Sequence, residues 1–311
     1  MRSLEESLDK ASLAPMHDDQ VHIDADVARH LIRTQFPQFR EETIAPLATA
    51  GTMSAIFRIG SGWTARFPLR WVEAAQCAVL LEQETAAMEE LAAVCPVATP
   101  RPVGIGDPGG GYPMPWFIQT WIDGNTATPH GLAGSETFPL DLARLVLSLR
   151  TADVRGRRFD GRGRGGNLMD HDAWIETCFT NSAEFVDVDR MRPVWAQFRA
   201  LPRSGPDVMS HKDLTPMNLL VRGERLVGVL DGGGFGPADP ALDLVAGWHL
   251  LDRDRRAVFR DAVGSDELEW QRGAAWAFEQ AIGLVWYYRE SNPTMSALGD
   301  STIARLLESF G

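Results

Sequence analysis

The sequence has no hydrophobic run long enough to cross a bilayer. Its longest apolar stretches are AVLL at residues 78–81 and an interrupted stretch at 274–286, whereas a transmembrane helix needs about 20 apolar residues. The first ten residues, MRSLEESLDK, lack the apolar core of a signal peptide. We therefore expect a cytoplasmic protein without a membrane partner.

Cysteine is scarce and carries no metal or redox motif. The three cysteines, Cys77, Cys95 and Cys178, lie far apart in the sequence, and no CxxC spacing occurs. Three thiols cannot all pair, and the spacings typical of zinc sites are missing. We expect reduced, mostly buried thiols, and neither a disulfide framework nor a zinc site.

Basic residues are too few for general nucleic-acid binding. The chain has 42 acidic and 30 basic residues and a net charge of -12, which disfavours phosphate backbones and favours cationic ligands. The exception is RGRRFDGRGRGG at 155–166, where five arginines alternate with glycines. This segment could bind phosphate or sulfate, but glycine raises the cost of ordering it, so a solvated mobile loop is favoured.

Length and composition favour a chain of two lobes. The 311 residues, 44% of them hydrophobic, can form a large core. Helix and strand patterns alternate up to about residue 122, and helical patterns dominate afterwards. We predict an α+β fold with a polar leader at 1–20, a small N-terminal lobe at 21–122 and a larger, mainly helical C-terminal lobe at 123–311.

The N-terminal lobe is predicted to pair an antiparallel sheet with a long helix. Strand patterns occur at 43–47, 54–59 and 63–67, the last two joined by a GSG turn, and again at 116–122. Residues 72–94 are rich in Ala, Leu and Glu and contain neither Gly nor Pro, which predicts a helix. A shorter helix is expected from Asp24 to Phe36.

The C-terminal lobe is predicted to consist of helices around one hairpin. Helical patterns begin near residues 139, 170 and 189, and a last helix is expected at 295–309. Apolar residues recur at intervals of three or four from 270 to 285. On this helix Trp276, Trp286 and Tyr287 are candidates for the core or for a groove, with the core favoured.

The most informative segment is SHKDLTPMNLLVRGERLVGVLDGGGFGPADPALDL at 210–244. It contains H-x-D-x-x-x-x-N, with Asp213 and Asn218 at the last two fixed positions, which matches the catalytic loop of protein kinases. The following residues predict a hairpin that turns about Glu224 and Arg225 and places Asn218 opposite Asp231. Asn218 and Asp231 then offer hard oxygen ligands suited to Mg²⁺.

The order H-x-D-L-x-P-x-N, a short hairpin ending in aspartate, and D-P-x-x-D-L resembles the aminoglycoside and choline phosphotransferase superfamily. The resemblance extends over residues 22–310 and is closest to the antibiotic phosphotransferases. It implies a bilobal protein-kinase-like fold and an enzyme that uses Mg²⁺ and ATP or GTP to phosphorylate an alcohol. It also implies that Asp213 is the catalytic base or orients the hydroxyl, that Asn218 and Asp231 bind magnesium, and that His211 supports the loop.

Two further aspartates follow the hairpin. Asp239 precedes Pro240, the arrangement of a helix N-cap followed by proline, and we interpret it as structural. By the family resemblance, Asp243 is expected to brace the catalytic loop.

The nucleotide is expected to bind the N-terminal lobe. In the kinase template a basic residue on the third strand contacts phosphate and pairs with a glutamate of the next helix. Arg66 and Glu84 occupy these positions, so the usual lysine is absent, although arginine keeps the charge. The candidate phosphate loop is TAGTMS at 49–54. The base is expected to stack against the linker at 119–122. The residues concerned are Gly51, Thr52 and Ser54 in the loop, and Gln119, Thr120, Trp121 and Ile122 in the linker.

The sequence departs from the family near the catalytic centre. Lys212 stands where glycine is common, and its charge could lower the proton affinity of Asp213. Three glycines at 232–234 follow Asp231, which suggests a metal loop that is mobile until nucleotide binds. Either departure could reduce activity.

The favoured function is a kinase for an antibiotic-like acceptor such as an aminoglycoside or a macrolide. A metabolic kinase for choline, homoserine or a sugar is the first alternative, and a nucleotide-binding pseudokinase is the second. Retention of Asp213, Asn218 and Asp231 argues against a pure binding module. The sequence leaves open ATP or GTP, and monomer or homodimer. The acceptor could be cationic, and candidate residues for binding it are Asp172, Glu176, Trp286, Tyr287 and Glu290.

Overall fold

The computed structural model describes residues 21–47 and 54–311, which form two compact units. The first unit contains the chain up to Ala86 and Arg101–Trp121, and the second contains Ala87–Pro100 and Ile122–Gly311. The predicted limits of 21–122 and 123–311 differ from this division mainly at 87–100. The predicted leader at 1–20 lies outside the described residues.

The first unit contains a five-stranded antiparallel sheet, one helix and the first part of a second helix, whose residues after Ala86 belong to the second unit. Its strand order is β1-β2-β3-β5-β4, and β2 pairs with β3 so that Ile59 faces Trp63 across the predicted GSG turn. The carboxylate of Asp24 accepts a hydrogen bond from the Val27 amide and caps the first helix. The elements are α1 (Ala25–Gln35), β1 (Ile44–Leu47), β2 (Ser54–Ile59), β3 (Trp63–Pro68), α2 (Ala74–Val94), β4 (Pro102–Gly106) and β5 (Trp116–Thr120).

The core of the first unit is aromatic. Phe67 of β3 stacks on Trp116 of β5 with ring centroids 4.6 Å apart, and Phe57 and Tyr112 meet Phe67 edge to face. These rings are buried, so they hold the three central strands together by apolar burial and by favourable ring geometry.

The second unit packs helices around two small sheets. Strands β6 (Asn125–Thr126), β8 (Leu219–Arg222) and β9 (Arg225–Val229) form one sheet, while β7 (Val208–Ser210) pairs with β10 (Gly236–Ala238). The helices are α3 (Phe138–Arg150), α4 (Asp172–Ser182), α5 (Val188–Phe198), α6 (Val245–Leu250), α7 (Arg253–Val263), α8 (Glu267–Tyr287) and α9 (Pro293–Phe310). The predicted α+β class, with a sheet-containing first part and a mainly helical second part, is confirmed.

Helix α8 forms the centre of the second unit. Most of its residues are buried, and Phe278 meets the rings of Phe179, Trp195 and Phe198 from helices α4 and α5. Trp276 is fully buried, which confirms the preference for a core position. Trp286 is only partly buried and Tyr287 is 48% exposed, so these two side chains reach the surface of the unit.

The three cysteines are free, and two of them are buried. Cys77, Cys95 and Cys178 are free thiols, and burial raises the pKa of Cys178 to about 11, which keeps it protonated at neutral pH. Within residues 21–47 and 54–311, no helix is both long and apolar enough to span a membrane.

A buried histidine makes the stability of the second unit depend on pH. His249 of α6 is fully buried, and its Nδ1 and Nε2 each lie 2.8 Å from a partner, Thr302 Oγ1 and Gln280 Oε1. Burial lowers its pKa to about 4. Between pH 6.5 and 4 the unfolded chain therefore binds a proton that the native chain excludes, and native stability falls as the pH falls.

We expect this site to lower the free energy of unfolding by about 3 kcal/mol between pH 7 and pH 4. Urea denaturation at a series of pH values measures the slope. His249→Gln keeps a polar side chain but cannot titrate. Its free energy of unfolding should therefore change less steeply with pH, by an amount that corresponds to the uptake of up to one proton on unfolding. If the slopes of the two proteins coincide, His249 does not carry this dependence.

Candidate active site

The catalytic loop at 210–213 is held by one buried carboxylate. Asp243, only 3% exposed, accepts hydrogen bonds from Ser210 Oγ at 2.8 Å, the His211 amide at 3.0 Å and the Lys212 amide at 3.2 Å. Three donors on one carboxylate fix the path of the backbone immediately before Asp213. The predicted bracing role of Asp243 is confirmed.

His211 joins the same loop to the end of the hairpin. The side chain is 1% exposed, and its Nε2 donates to the Leu230 carbonyl over 2.8 Å. The Leu230 amide in turn donates to the Asn218 carbonyl, also over 2.8 Å. The hydrogen bond of His211 thus links the loop to the backbone at the end of the hairpin.

The hairpin that follows has a different register from the predicted one. The chain turns at Gly223 and Glu224, with Gly223 at a left-handed φ of 60°, and Arg222 pairs with Arg225. A register shift leaves one extra residue in β9, so Asn218 lies opposite Leu230 and not Asp231. The prediction was wrong by one position: the hairpin turns one residue earlier than predicted, which alone would place Asn218 opposite Val229, and the extra residue in β9 moves its partner to Leu230.

The backbone of Asp231 adopts a left-handed conformation. It follows β9 with φ 60° and ψ 44°, a left-handed conformation that aspartate tolerates better than most residues. The like charge of Asp231 contributes to the raised pKa of Asp213, so the two carboxylates lie within electrostatic range.

Asp213 and Asn218 form the centre of the site. Asn218 Nδ2 donates to both the backbone oxygen and the Oδ2 of Asp213, each over 2.9 Å. The Asp213 side chain remains 42% accessible. Protein atoms enclose the carboxyl group apart from this accessible edge, and the partial loss of solvation raises its pKa. The charge of Asp231 adds to the shift, whereas Arg164, His211 and Asn218 oppose it. The result is an oriented, accessible carboxylate with increased proton affinity.

The oxygen donors fit a magnesium ion. Because Asn218 Nδ2 is engaged, the atom that Asn218 can offer is Oδ1, and Asp231 offers a carboxylate. A divalent cation would also relieve the repulsion between Asp213 and Asp231. No group of three His, Cys, Asp or Glu in the described ranges has metal-binding geometry. A small set of protein ligands suits Mg²⁺, which usually keeps water and phosphate oxygens as its other ligands.

The structure adds a residue that sequence reasoning missed. Arg164 lies with Nη2 3.5 Å from Asp213 Oδ1 and Nη1 3.5 Å from Glu279 Oε2. Glu279, in α8, is 5% exposed and also accepts from His171 Nδ1 over 3.0 Å. The available signal was Glu279 itself, a charged residue within the apolar helical run AAWAFEQAIG.

The expectation of a solvated loop at 155–166 is wrong for its last residues. The Gly165 carbonyl accepts from the Asp239 amide over 2.8 Å, and a Cβ on Gly166 would lie 2.6 Å from the Phe159 ring. Earlier in the loop, Arg158 and Arg162 are exposed. The repeated Arg-Gly pattern could not distinguish Arg164 from its neighbours.

Asp239 is structural, as predicted. It is fully buried and accepts hydrogen bonds from Arg272 Nε at 2.8 Å, from Trp276 Nε1 at 3.0 Å and from the Ala241 amide at 3.0 Å. Arg272, 1% exposed, also donates to backbone carbonyls, among them that of Leu201. The pair joins α8 to the segment that follows β10.

Two of the predicted acceptor residues are engaged in ion pairs. Asp172 binds Arg199 and also accepts from Trp195 Nε1, and Glu176 makes two 2.7 Å contacts with Arg192. These hydrogen bonds lower the pKa of both carboxyl groups. Trp286, Tyr287 and Glu290 lie at and beyond the end of α8, with Tyr287 and Glu290 exposed.

The predicted nucleotide residues that the structure describes lie in the expected elements of the first unit. Arg66 is on β3 with its guanidinium 5.8 Å from the Phe117 ring centroid, Glu84 is on α2, and Ser54 begins β2. Gly51 and Thr52 lie outside the described residues.

The linker after β5 has fewer backbone donors than predicted. The Thr120 amide donates to Arg101 and the Trp121 amide donates to Gly62, while Gln119 pairs with Thr64 inside the sheet. Within the predicted segment these pairings leave the amide of Ile122 as the candidate for reading a base edge.

The two departures near the catalytic centre have structural explanations. Lys212 has a φ of 70°, the left-handed region in which glycine is unstrained, and burial lowers the pKa of its ammonium. The glycines after Asp231 form a short turn, Gly232–Gly234, and a Cβ on Gly232 would lie 2.3 Å from Leu91 Cδ2. A larger residue at 232 would therefore require the side chain of Leu91 to move.

Comparisons with known proteins identify a family and a shared fold. A family model described as the phosphotransferase enzyme family matches residues 48–278. The GDP complex of aminoglycoside 2'-phosphotransferase-IIIa superposes with a TM-score of 0.69 at 17% identity, covering 92% of this chain and 99% of that one. The apoenzyme of a macrolide 2'-phosphotransferase from Brachybacterium faecium gives 0.55 at 18% identity, covering 84% and 92%. The comparison with curated proteins gives no significant match.

Proposed function

Since the chain belongs to the phosphotransferase enzyme family and is thus an enzyme that phosphorylates hydroxyl groups, we propose that its acceptor is an antibiotic-like small molecule. The donor is the γ-phosphoryl group of ATP or GTP. The observation that carries the proposal is the Asp213–Asn218 pair, with Asp213 accessible, raised in pKa and close to a second carboxylate. The similarity of the fold to both aminoglycoside and macrolide phosphotransferases supports this acceptor class.

The arrangement suits direct transfer to an alcohol. The acceptor hydroxyl donates a hydrogen bond to Asp213, which orients the oxygen toward the γ-phosphorus and accepts the proton as the new P–O bond forms and the bond to the nucleoside diphosphate breaks. Bound Mg²⁺ supplies charge neutralisation at the phosphates, held by Asn218 and Asp231. Asp243 and His211 keep the loop in place, so little reorganisation precedes transfer.

The nucleotide assignment concerns the first unit. Arg66 is proposed to contact phosphate and Glu84 to orient it, with Gly51, Thr52 and Ser54 near the phosphates. Relatives have been determined with GDP, with ADP and with ATP. Both ATP and GTP are therefore candidates for this chain.

The cellular setting follows from the same proposal. A kinase needs nucleoside triphosphate, so we place it in the cytoplasm. The net charge of -12 supports a small-molecule partner over nucleic acid. Modification of an antibiotic-like acceptor would make this a resistance enzyme.

The test is a panel of acceptors incubated with protein, Mg²⁺ and either ATP or GTP. We expect mass spectrometry to detect a gain of one phosphate on at least one aminoglycoside, macrolide or related compound, and no gain with Asp213→Ala. The panel also includes choline, homoserine and simple sugars. Turnover confined to these compounds would contradict the antibiotic-like acceptor and favour a metabolic kinase. Turnover of no acceptor above the level of the variant would support the pseudokinase alternative.

A further inference from the structure

The Asp213 carboxylate is contacted on both of its oxygens, from two different parts of the second unit. Asn218 Nδ2 donates to Oδ2 over 2.9 Å, and Arg164 Nη2 lies 3.5 Å from Oδ1. Asn218 precedes the hairpin, whereas Arg164 belongs to the 155–166 loop. The last torsion of an aspartate side chain has only broad preferences, and Asp213 is 42% accessible. Contacts on both oxygens therefore define the plane of this carboxylate.

The backbone that follows Arg164 is anchored in the interior of the second unit. Gly165 has a φ of 117°, which glycine adopts without strain, and its carbonyl accepts from the amide of the buried Asp239 over 2.8 Å. A Cβ at Gly165 would lie 2.7 Å from that of Ala238. This close approach distinguishes Arg164 from Arg162, which is exposed in the same loop.

A buried carboxylate holds the other side of the guanidinium. Arg164 Nη1 lies 3.5 Å from Glu279 Oε2, and the Glu279 side chain is 5% exposed. Glu279 Oε1 lies 3.0 Å from His171 Nδ1, and the His171 ring meets the buried Trp276 ring edge to face at 5.2 Å. A charged side chain in the largely apolar helix α8 is costly unless it is paired. The burial of Glu279 therefore favours a fixed position of Arg164.

The guanidinium thus lies between two carboxylates, those of Asp213 and Glu279. At 3.5 Å the attraction between opposite charges remains substantial in a partly buried site. This attraction also opposes the repulsion of Asp213 by the like charge of Asp231. When Asp213 takes up the proton of an acceptor, Arg164 keeps Glu279 as its partner and need not move.

We propose that Arg164 is a positioning residue, which fixes the plane of the Asp213 carboxylate so that its accessible edge faces the acceptor hydroxyl. This rests on the proposed function, because that function places the hydroxyl at Asp213. Arg164 acts through Asp213 and does not need to touch the acceptor or the nucleotide. Its loss should therefore lower the rate of transfer more than the binding of either substrate.

Arg164→Met tests the role with the best acceptor of the panel. Methionine keeps an unbranched side chain but has no charge and no donor. We expect kcat to fall about 10- to 100-fold, because a misplaced catalytic group can cost about 10²-fold, while the KM of acceptor and nucleotide changes less than about threefold. Arg164→Lys keeps the charge on a single nitrogen, so its kcat should be intermediate. Arg162→Met, at the exposed arginine of the same loop, is the matched control and should behave as wild type.

A double-mutant cycle distinguishes positioning from a general structural role. If Arg164 acts through Asp213, adding Arg164→Met to Asp213→Asn should lower the remaining kcat by less than about threefold, because the carboxylate that it positions is already gone. A structural role would give the same fold loss in both backgrounds. Thermal unfolding shows whether each variant is folded. Should Arg164→Met not fold, Glu279→Gln with and without Arg164→Met repeats the comparison without the buried charge of Glu279.

The outcomes separate this inference from the proposed function. Phosphorylation of no compound by wild-type protein refutes the kinase proposal, and the role of Arg164 with it. If wild-type protein phosphorylates an acceptor, a kcat of folded Arg164→Met within about threefold of wild type, or above it, overturns the positioning role alone. Equal fold losses in the two backgrounds do the same, and so does a loss confined to KM, which would mean that Arg164 binds a substrate.

Discussion

Asp213→Asn is expected to lower kcat by about 10²- to 10⁴-fold while the protein remains folded. The substitution is nearly isosteric, but an amide cannot accept the proton of the acceptor hydroxyl. The nucleotide residues belong to other parts of the sequence, so the KM for ATP or GTP should change little. Initial rates with the best acceptor, at saturating nucleotide, measure the effect.

Stability provides an independent check on this variant. The pKa of Asp213 is raised in the folded protein by burial and by the nearby charge of Asp231, so the ionised carboxylate destabilises the native state at neutral pH. Asp213→Asn should therefore unfold at the same temperature as wild type or higher. Asp254→Asn, at an aspartate whose side chain is 84% exposed, is the control and should keep full activity. Activity within a few fold of wild type in Asp213→Asn would contradict the assignment.

Asp239→Ala is expected to destabilise the second unit by about 3–5 kcal/mol. The change leaves the guanidinium of Arg272, 1% exposed, without its carboxylate and removes the acceptor of the Trp276 indole. An unpaired buried charge costs more than the pair contributes, so this loss exceeds that of an ordinary cavity. Urea denaturation followed by tryptophan fluorescence and circular dichroism gives the change in unfolding free energy.

A double variant tests the physical reason for that loss. If the unpaired charge dominates, Asp239→Ala combined with Arg272→Met should be more stable than Asp239→Ala alone, because no buried charge remains. Glu176→Ala breaks the exposed pair with Arg192 and should change stability little. Equal stability of the single and double variants would mean that lost packing, and not the charge, causes the effect.

The catalytic centre could be predicted because its residues are close in sequence. His211, Asp213, Asn218, Asp231 and Asp243 fall within 33 residues, and a loop followed by a hairpin brings such residues together whatever surrounds them. The same is true of the helix and strand order, which follows from local periodicity.

The remaining features depend on contacts that local patterns do not encode. The partner of Asn218 differs from the predicted one by a single residue, because the hairpin turns one residue earlier than predicted and a bulge in β9 compensates for part of that displacement. Arg164 reaches Asp213 from 49 positions away. The close approach of Gly232 to Leu91 in helix α2 also joins distant parts of the sequence, and the glycine pattern by itself indicates only mobility.

The near-contiguity of residues 210–243 has a consequence for inheritance. The hydrogen bonds described for Asp243, His211 and Asn218 all lie within this stretch, so a duplicated gene passes on the whole bonded loop and hairpin as one short segment. A substitution elsewhere in the chain leaves the partners of these hydrogen bonds in place.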